Sequence, residues 1–296
     1  MYARRVTQPR REIASRAPAL SSLTGFLLRR AYARTLDFAR TSLDDDANMR
    51  DVGVLTILDS HGPMSQGAVA DRMQTNRTVM VKLAEALESE GYLVRDRNPA
   101  DRRAYALTIT DAGRLRLKEL LRELTDAEVI LTAHLSAPDH ARLNELLRTL
   151  VPEDALATFP TLRDHTGYLV SVAHLQLRGD AIDLLKPLGI EPRDFGVMSV
   201  IDRDGPCTQQ HVADVLGVSA PTVLWAIDDL ERNGLVRRAR VTSDRRSYDL
   251  SLTESGRWCL SDAVELVETV QARMTERLGE RGDVELRTLL TSIVGL

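Results

Sequence analysis

GYLVRDRNPADRRAYALTITDAG at residues 91–113 and GLVRRARVTSDRRSYDLSLTESG at residues 234–256 are two versions of one segment. Each opens on a glycine, Gly91 or Gly234, at which a helical apolar period gives way to alternation. In the first version, 93–97 and 105–109 alternate as strands around the polar turn Asn98-Pro99-Ala100-Asp101. In the second, 236–241 and 248–252 do so around Thr242-Ser243-Asp244. Each ends in Thr-x-x-Gly, where Thr110 or Thr253 is placed to cap a following helix.

The likeness extends outward. A shift of 143 positions lays 51–113 on 194–256 without a gap, with about 22 identities in 63 columns, so the chain is a duplication. Thr24-Gly25 meets Thr166-Gly167 at a shift of 142, which carries the repeat back to its first helix. Each copy then predicts a long helix (20–41; 164–186), a second (48–60; 192–203), a short one after the caps Ser65 or Thr208, and another after Asn76 or Ser219. The two strands follow. Beyond them, Leu117, Leu120, Leu121 and Leu124 mark the apolar face of one long helix, and Ala263, Leu266, Val267, Val270 and Met274 that of its counterpart. Closing helices are expected near 137–151 and 283–294.

Composition sets limits. The 296 residues suffice for two cores, and 43% hydrophobic with 28% charged residues is a globular balance. A net charge of -4 excludes bulk coating of nucleic acid but leaves room for a local basic edge. Cys207 and Cys259 have neither disulfide nor metal-ligand spacing, and the six histidines are scattered, so no metal or cofactor is expected and a reducing cytoplasm is. No apolar run is long enough to span a membrane. The first residues carry Arg4, Arg5, Arg10, Arg11 and Arg16 without an apolar stretch, which predicts a disordered basic arm or one touching DNA phosphates.

A helix, a short helix, a second helix and a two-stranded wing form an arrangement suited to duplex DNA. The second helix of the turn fits the major groove, and wing arginines suit the minor groove. Candidate wing contacts are Arg95, Arg97, Arg102 and Arg103 in the first copy and Arg238, Arg240, Arg245 and Arg246 in the second, with Arg237 beside them. Asp101 and Asp244 are expected to pin a neighbouring arginine and shape the loop. Asn76, Arg77, Thr78 and Lys82 are candidate groove contacts of the first copy, Ser219 and Thr222 those of the second.

Gly91 to Arg95, Asp101-Arg102-Arg103 and Leu107 to Gly113, with their second set at 234–256, resemble the MarR family of bacterial regulators. The resemblance covers nearly everything from residue 20 onward. It implies a mainly α fold with small β-wings, two tandem winged helix-turn-helix domains sharing a helical, dimerisation-like core. The expected layout is an arm at 1–19, a domain at 20–151, a linker at 152–163 and a domain at 164–296. It also implies a monomer acting as a fused pseudo-dimer, with double-stranded DNA as partner and a small phenolic or lipophilic effector. His174, Tyr168, Tyr32, Trp258 and Cys259 would lie near the family's pocket, but ordinary packing accounts for each, and no ligand residue is assigned.

The copies diverge most in the groove-facing helix. Where the first has Arg77, Thr78 and Lys82, the second has Ala220, Pro221 and Trp225, with Leu224 beside it. Val223, Ala226, Ile227 and Leu230 should be core, leaving Leu224 and Trp225 outward. Three readings stay open: contact with thymine methyls and sugars, packing on something other than bases, or Trp225 tucked into the core. On the sequence, the first copy should supply most specificity, over an operator that is not a good palindrome, and Trp225→Ala should hardly matter. The functional expectation is a non-enzymatic, ligand-responsive transcriptional regulator. The alternative is a small-molecule binder, such as a drug-sequestering resistance protein, or a repurposed enzyme on this scaffold, although no nucleophile–base pair supports an enzyme.

Overall fold

The computed structural model describes residues 17–42, 46–97, 105–240 and 248–295. Helix α1 (Thr24–Ser42) precedes the first winged module. That module comprises α2 (Asp46–His61), α3 (Gln66–Arg72), α4 (Arg77–Ser89), β1 (Leu93–Arg97), β2 (Tyr105–Ile109), α5 (Asp111–Leu131) and α6 (Ala137–Leu150). After α7 (Glu153–Thr158), α8 (Thr166–Leu185) opens the second copy. Its module comprises α9 (Pro192–Asp204), β3 (Cys207–Thr208), α10 (Gln209–Leu216), α11 (Ala220–Arg232), β4 (Val236–Arg240), β5 (Tyr248–Leu252) and α12 (Glu254–Val294). Helix α12 breaks at Gly279, whose φ of 73° leaves the helical region.

Both wings are antiparallel. Leu93 pairs with Ile109 and Arg97 with Tyr105; Val236 pairs with Leu252 and Arg240 with Tyr248. Strand β3 adds to the second wing through Cys207 opposite Leu250, and Met64 bridges Leu107 at the equivalent place in the first.

The two compact units are not the two halves of the sequence. One joins residues up to Arg30 to His174–Arg287; the other joins Ala31–Ala173 to Thr288–Leu296. These units do not follow the division expected at 152–163, because α1 and α8 each contribute to both of them. The reason lies in the cores. Leu20 and Leu23, just ahead of α1, are buried with Phe195, Ile201, Val223, Ile227 and Leu260 of the second module. Leu162, just ahead of α8, is buried with Leu55, Leu58, Met80 and Leu120 of the first. Each leucine so placed contributes about 2 kcal/mol that it would not gain exposed. The expected linker is folded, as α7 and the 3-10 turn Pro160–Leu162. Of the expected N-terminal arm, 1–16 lie outside the described residues; Ala17 is buried and its N–H donates to Asp202 Oδ2 at 3.3 Å.

The start of each exchanged helix is held by the same three positions with different chemistry. In one unit the Thr166 N–H donates to Glu128 Oε1 at 2.9 Å, and the Thr166 hydroxyl bonds Asn144 Oδ1 at 2.8 Å and His140 Nε2 at 2.7 Å. His140 also lies 3.1 Å from Glu128, and His165 Nδ1 2.9 Å from its other oxygen. In the other unit the Thr24 N–H donates to Gln271 Oε1 at 3.1 Å and its hydroxyl to Asp283 Oδ1 at 2.8 Å. Gln271 Nε2 donates to both Asp283 oxygens at 3.0 and 3.1 Å, and Arg287 pairs with Asp283 at 3.2 Å. A shift of 143 turns Glu128 into Gln271, His140 into Asp283 and Asn144 into Arg287. Burial raises the Glu128 carboxyl, but hydrogen bonds from His165 and Thr166 outweigh it and hold the group below the usual range.

His174, on α8, is buried, and burial together with the charges of Arg29 and Arg178 lowers its pKa to about 4. In the unfolded chain the group titrates near 6.5, so between these values the unfolded state binds more protons. Its contribution is full above pH 6.5 and is lost as pH falls toward 4. That loss is expected to be about 2–3 kcal/mol, and His174→Asn is expected to flatten it when urea midpoints are compared across this range. An unchanged slope would show that His174 is not its source.

Candidate nucleic-acid interface

The Gly…Thr-x-x-Gly spacing has a local physical cause. Thr110 caps α5, its hydroxyl accepting from Gly113 N at 3.0 Å while donating to Gly91 O at 2.7 Å. Thr253 does the same between Gly256 at 2.9 Å and Gly234 at 2.7 Å. A Cβ on Gly113 would sit 2.2 Å from the Tyr92 carbonyl oxygen, and one on Gly256 2.0 Å from that of Leu235, so only glycine fits. This circuit ties the base of each wing to the end of α4 or α11.

Helix α4 is capped by Asn76, whose Oδ1 accepts from Thr78 N at 2.7 Å. Met80, Leu83, Ala84 and Leu87 are buried, which turns Arg77, Thr78 and Lys82 outward. Among the described residues neither Arg77 nor Lys82 pairs with a carboxylate. Their charge is available to a partner. Helix α11 is capped by Ser219 and buries Val223, Ala226, Ile227 and Leu230, the four positions read as core. Leu224 is 40% and Trp225 70% exposed, which rules out the reading of Trp225 as a core side chain. The Ser219 and Thr222 hydroxyls bond each other at 2.8 Å.

The wing arginines divide into three groups. Arg95 pairs with Glu88 at the end of α4 at 3.0 Å. Arg238, its counterpart, pairs with Glu231 at 2.8 Å and with Asp228 on α11. Both arginines therefore brace strand against helix, a role not foreseen for them. The signal was present, because Glu88–Arg95 and Glu231–Arg238 are identical columns of the repeat. Arg97 and Arg240 end strands β1 and β4, and their side chains lie outside the described set. Arg102, Arg103, Arg245, Arg246, Asp101 and Asp244 lie outside the described residues. Arg237 is exposed and donates to Ser251 Oγ at 2.9 Å.

Two further arginines escaped the sequence reading. Arg29 donates to the Leu216 carbonyl and Arg30 to that of Val215 at 3.4 Å, so α1 caps the C-terminal end of α10. The turn after α10 uses Gly217 at φ 61°; the first module has Gln74 there at φ 50°, a left-handed conformation that a side chain disfavours.

Of the residues named near a ligand pocket, His174 and Cys259 are buried and Tyr168 is held by neighbours. Tyr168 donates to Ala155 O at 2.8 Å and meets Phe159 edge to face at 5.7 Å. Cys207 and Cys259 are buried, and burial pushes their thiols up to about 11 and about 12. Among the described residues no helix is long and apolar enough to cross a membrane.

Comparison with known proteins agrees with this arrangement. Models of the MarR family match residues 48–105 and, separately, 188–247. A provisionally assigned transcriptional regulatory protein for the hcr operon of Thauera aromatica is 32% identical over 133 residues, which are 44% of this chain and 80% of that protein. The HTH-type transcriptional repressor MdtR of Bacillus subtilis is 30% identical over 95 residues, 28% of this chain and 61% of the repressor. Among solved structures, the repressor CouR bound to a 23-mer DNA duplex is 35% identical with a TM-score of 0.42, covering 43% of this chain and 90% of that one. With both modules matched and a relative covered over most of its length, this chain, in which the winged-helix module occurs twice in tandem, is a member of the MarR family.

Proposed function

We propose that this protein is a sequence-specific regulator of transcription that binds double-stranded DNA as a single chain through its two winged modules. The observation that carries the reading is the outward face of α4, where Arg77, Thr78 and Lys82 stand exposed over a buried apolar face. Arg and Lys pair well with guanine in the major groove, and the capped helix start offers N–H groups to phosphate. Relatives that are transcriptional regulators support it. On this reading Arg97, Arg102, Arg103, Arg240, Arg245 and Arg246 reach the minor groove, Asp101 and Asp244 shape the wing loops, and Arg95 and Arg238 hold the wings in place. The protein acts in the cytoplasm, by binding rather than catalysis, and a small phenolic or lipophilic molecule loosens it from DNA. CouR of Rhodococcus jostii RHA1, which is similar to part of this chain, has been crystallised bound to p-coumaroyl-CoA, a CoA thioester with a phenolic head.

Selection of bound fragments from genomic DNA, followed by titration of the winning duplex, tests this. Binding is expected to weaken steeply with salt, log K falling against log salt by about 0.9 for each phosphate neutralised. The second reading, a drug-sequestering binder, rests on the missing cations of α11. It predicts no salt-dependent duplex binding at all.

A further inference from the structure

The unequal chemistry of α4 and α11 points to an unequal operator. We propose that the second module reads an A·T half-site through the C5-methyl groups of thymine, with Trp225 and Leu224 as the reading side chains. This rests on the DNA-binding function proposed above.

Four observations carry it. First, Trp225 occupies the place of Lys82, and Leu224 that of Val81, under the shift of 143. Both are exposed on the side of α11 opposite its buried Val223, Ile227 and Leu230. Second, the first turn of α11 has no cation: Ala220 and Pro221 stand where Arg77 and Thr78 stand in α4. Its hydroxyls, on Ser219 and Thr222, bond each other. Such a surface lacks the Arg or Lys that pairs best with guanine, and leaving a polar base edge unpaired against it costs affinity. The one apolar group that a base pair displays in the major groove is the thymine methyl.

Third, the carboxylates further along α11 are neutralised by partners. Asp228 and Glu231 pair with Arg238, and Asp229 pairs with Arg193 at 2.9 Å and Arg232 at 2.8 Å. They therefore do not hold a phosphate backbone away. Fourth, Leu224 and Trp225 are two adjacent side chains of one helix, far less than the roughly 800 Å² that each side of a stable protein–protein interface buries. Arg237, on strand β4, is exposed as well.

The test uses the full chain and its selected operator. Thymines in one half are replaced by deoxyuridine, which removes the methyl and leaves every hydrogen-bonding group. Affinity is expected to fall about threefold to fivefold for each methyl lost from the half-site facing α11. Substitution in the other half should have much less effect. Trp225→Ala should bind thymine and uracil duplexes equally, whereas Arg77→Ala should preserve the wild-type ratio between them. Because the change is made in the DNA, a folding defect cannot mimic it. Equal binding of both duplexes by the unaltered protein, or discrimination that persists in Trp225→Ala together with Leu224→Ala, overturns the proposal and leaves DNA binding intact. Absence of any salt-sensitive duplex binding overturns the function itself.

Discussion

The Arg77→Ala, Lys82→Ala double variant is expected to lose its preference for the operator over unrelated duplex by at least about 30-fold, because each good contact to a guanine contributes roughly 1–3 kcal/mol. Both side chains are exposed and neither braces a neighbour, so the fold should be unaffected and thermal unfolding should shift little. Competition titrations with operator and scrambled duplex give the ratio directly. Trp225→Ala should cost several-fold in the same assay, more than the negligible change that residue types alone suggested. A loss under about threefold for the double variant would remove α4 as the chief reader. Equal losses from the two helices would remove the asymmetry between them.

The second large effect lies far from DNA. Gln271→Glu is expected to destabilise the protein by about 2–4 kcal/mol at neutral pH, because it sets a carboxylate against the buried carboxylate of Asp283. Gln271 now donates to both Asp283 oxygens, and Asp283 is only 4% exposed. The new pair must share a proton, which raises one folded-state pKa above its unfolded value. The variant should therefore recover stability as pH falls toward the carboxylate range and lose it as pH rises. Adding Asp283→His and Arg287→Asn recreates the set Glu128, His140 and Asn144, which already holds Thr166 in the other unit. Most of the lost stability should return in this triple variant, read as the urea midpoint of the full chain. A triple variant no better than Gln271→Glu alone would show that the two clasps are not equivalent solutions of one problem.

Those clasps show where sequence reading reached and where it stopped. Thr24 and Thr166 were matched as equivalent positions in the first helices, but nothing local ties Thr24 to Asp283, 259 positions away. The same holds for Leu20 and Leu162, whose apolar character was plain and whose core was not. At the groove, caps at Asn76 and Ser219 and the buried set of α11 were legible because helical period and capping act within a few residues. The roles of Arg95 and Arg238 were not. An arginine on a strand looks alike whether it meets a phosphate or a carboxylate seven residues earlier, and only the packing of strand against helix brings Glu88 or Glu231 within reach.

Residue order by itself thus determined the duplication, the order and kind of the elements in each module and the outward set of each groove-facing helix. All of these follow from interactions between near neighbours along the chain. Which helix closes which core was decided only in three dimensions. That choice depends on apolar area and buried hydrogen bonds summed over segments more than a hundred residues apart, and no short stretch encodes such a sum.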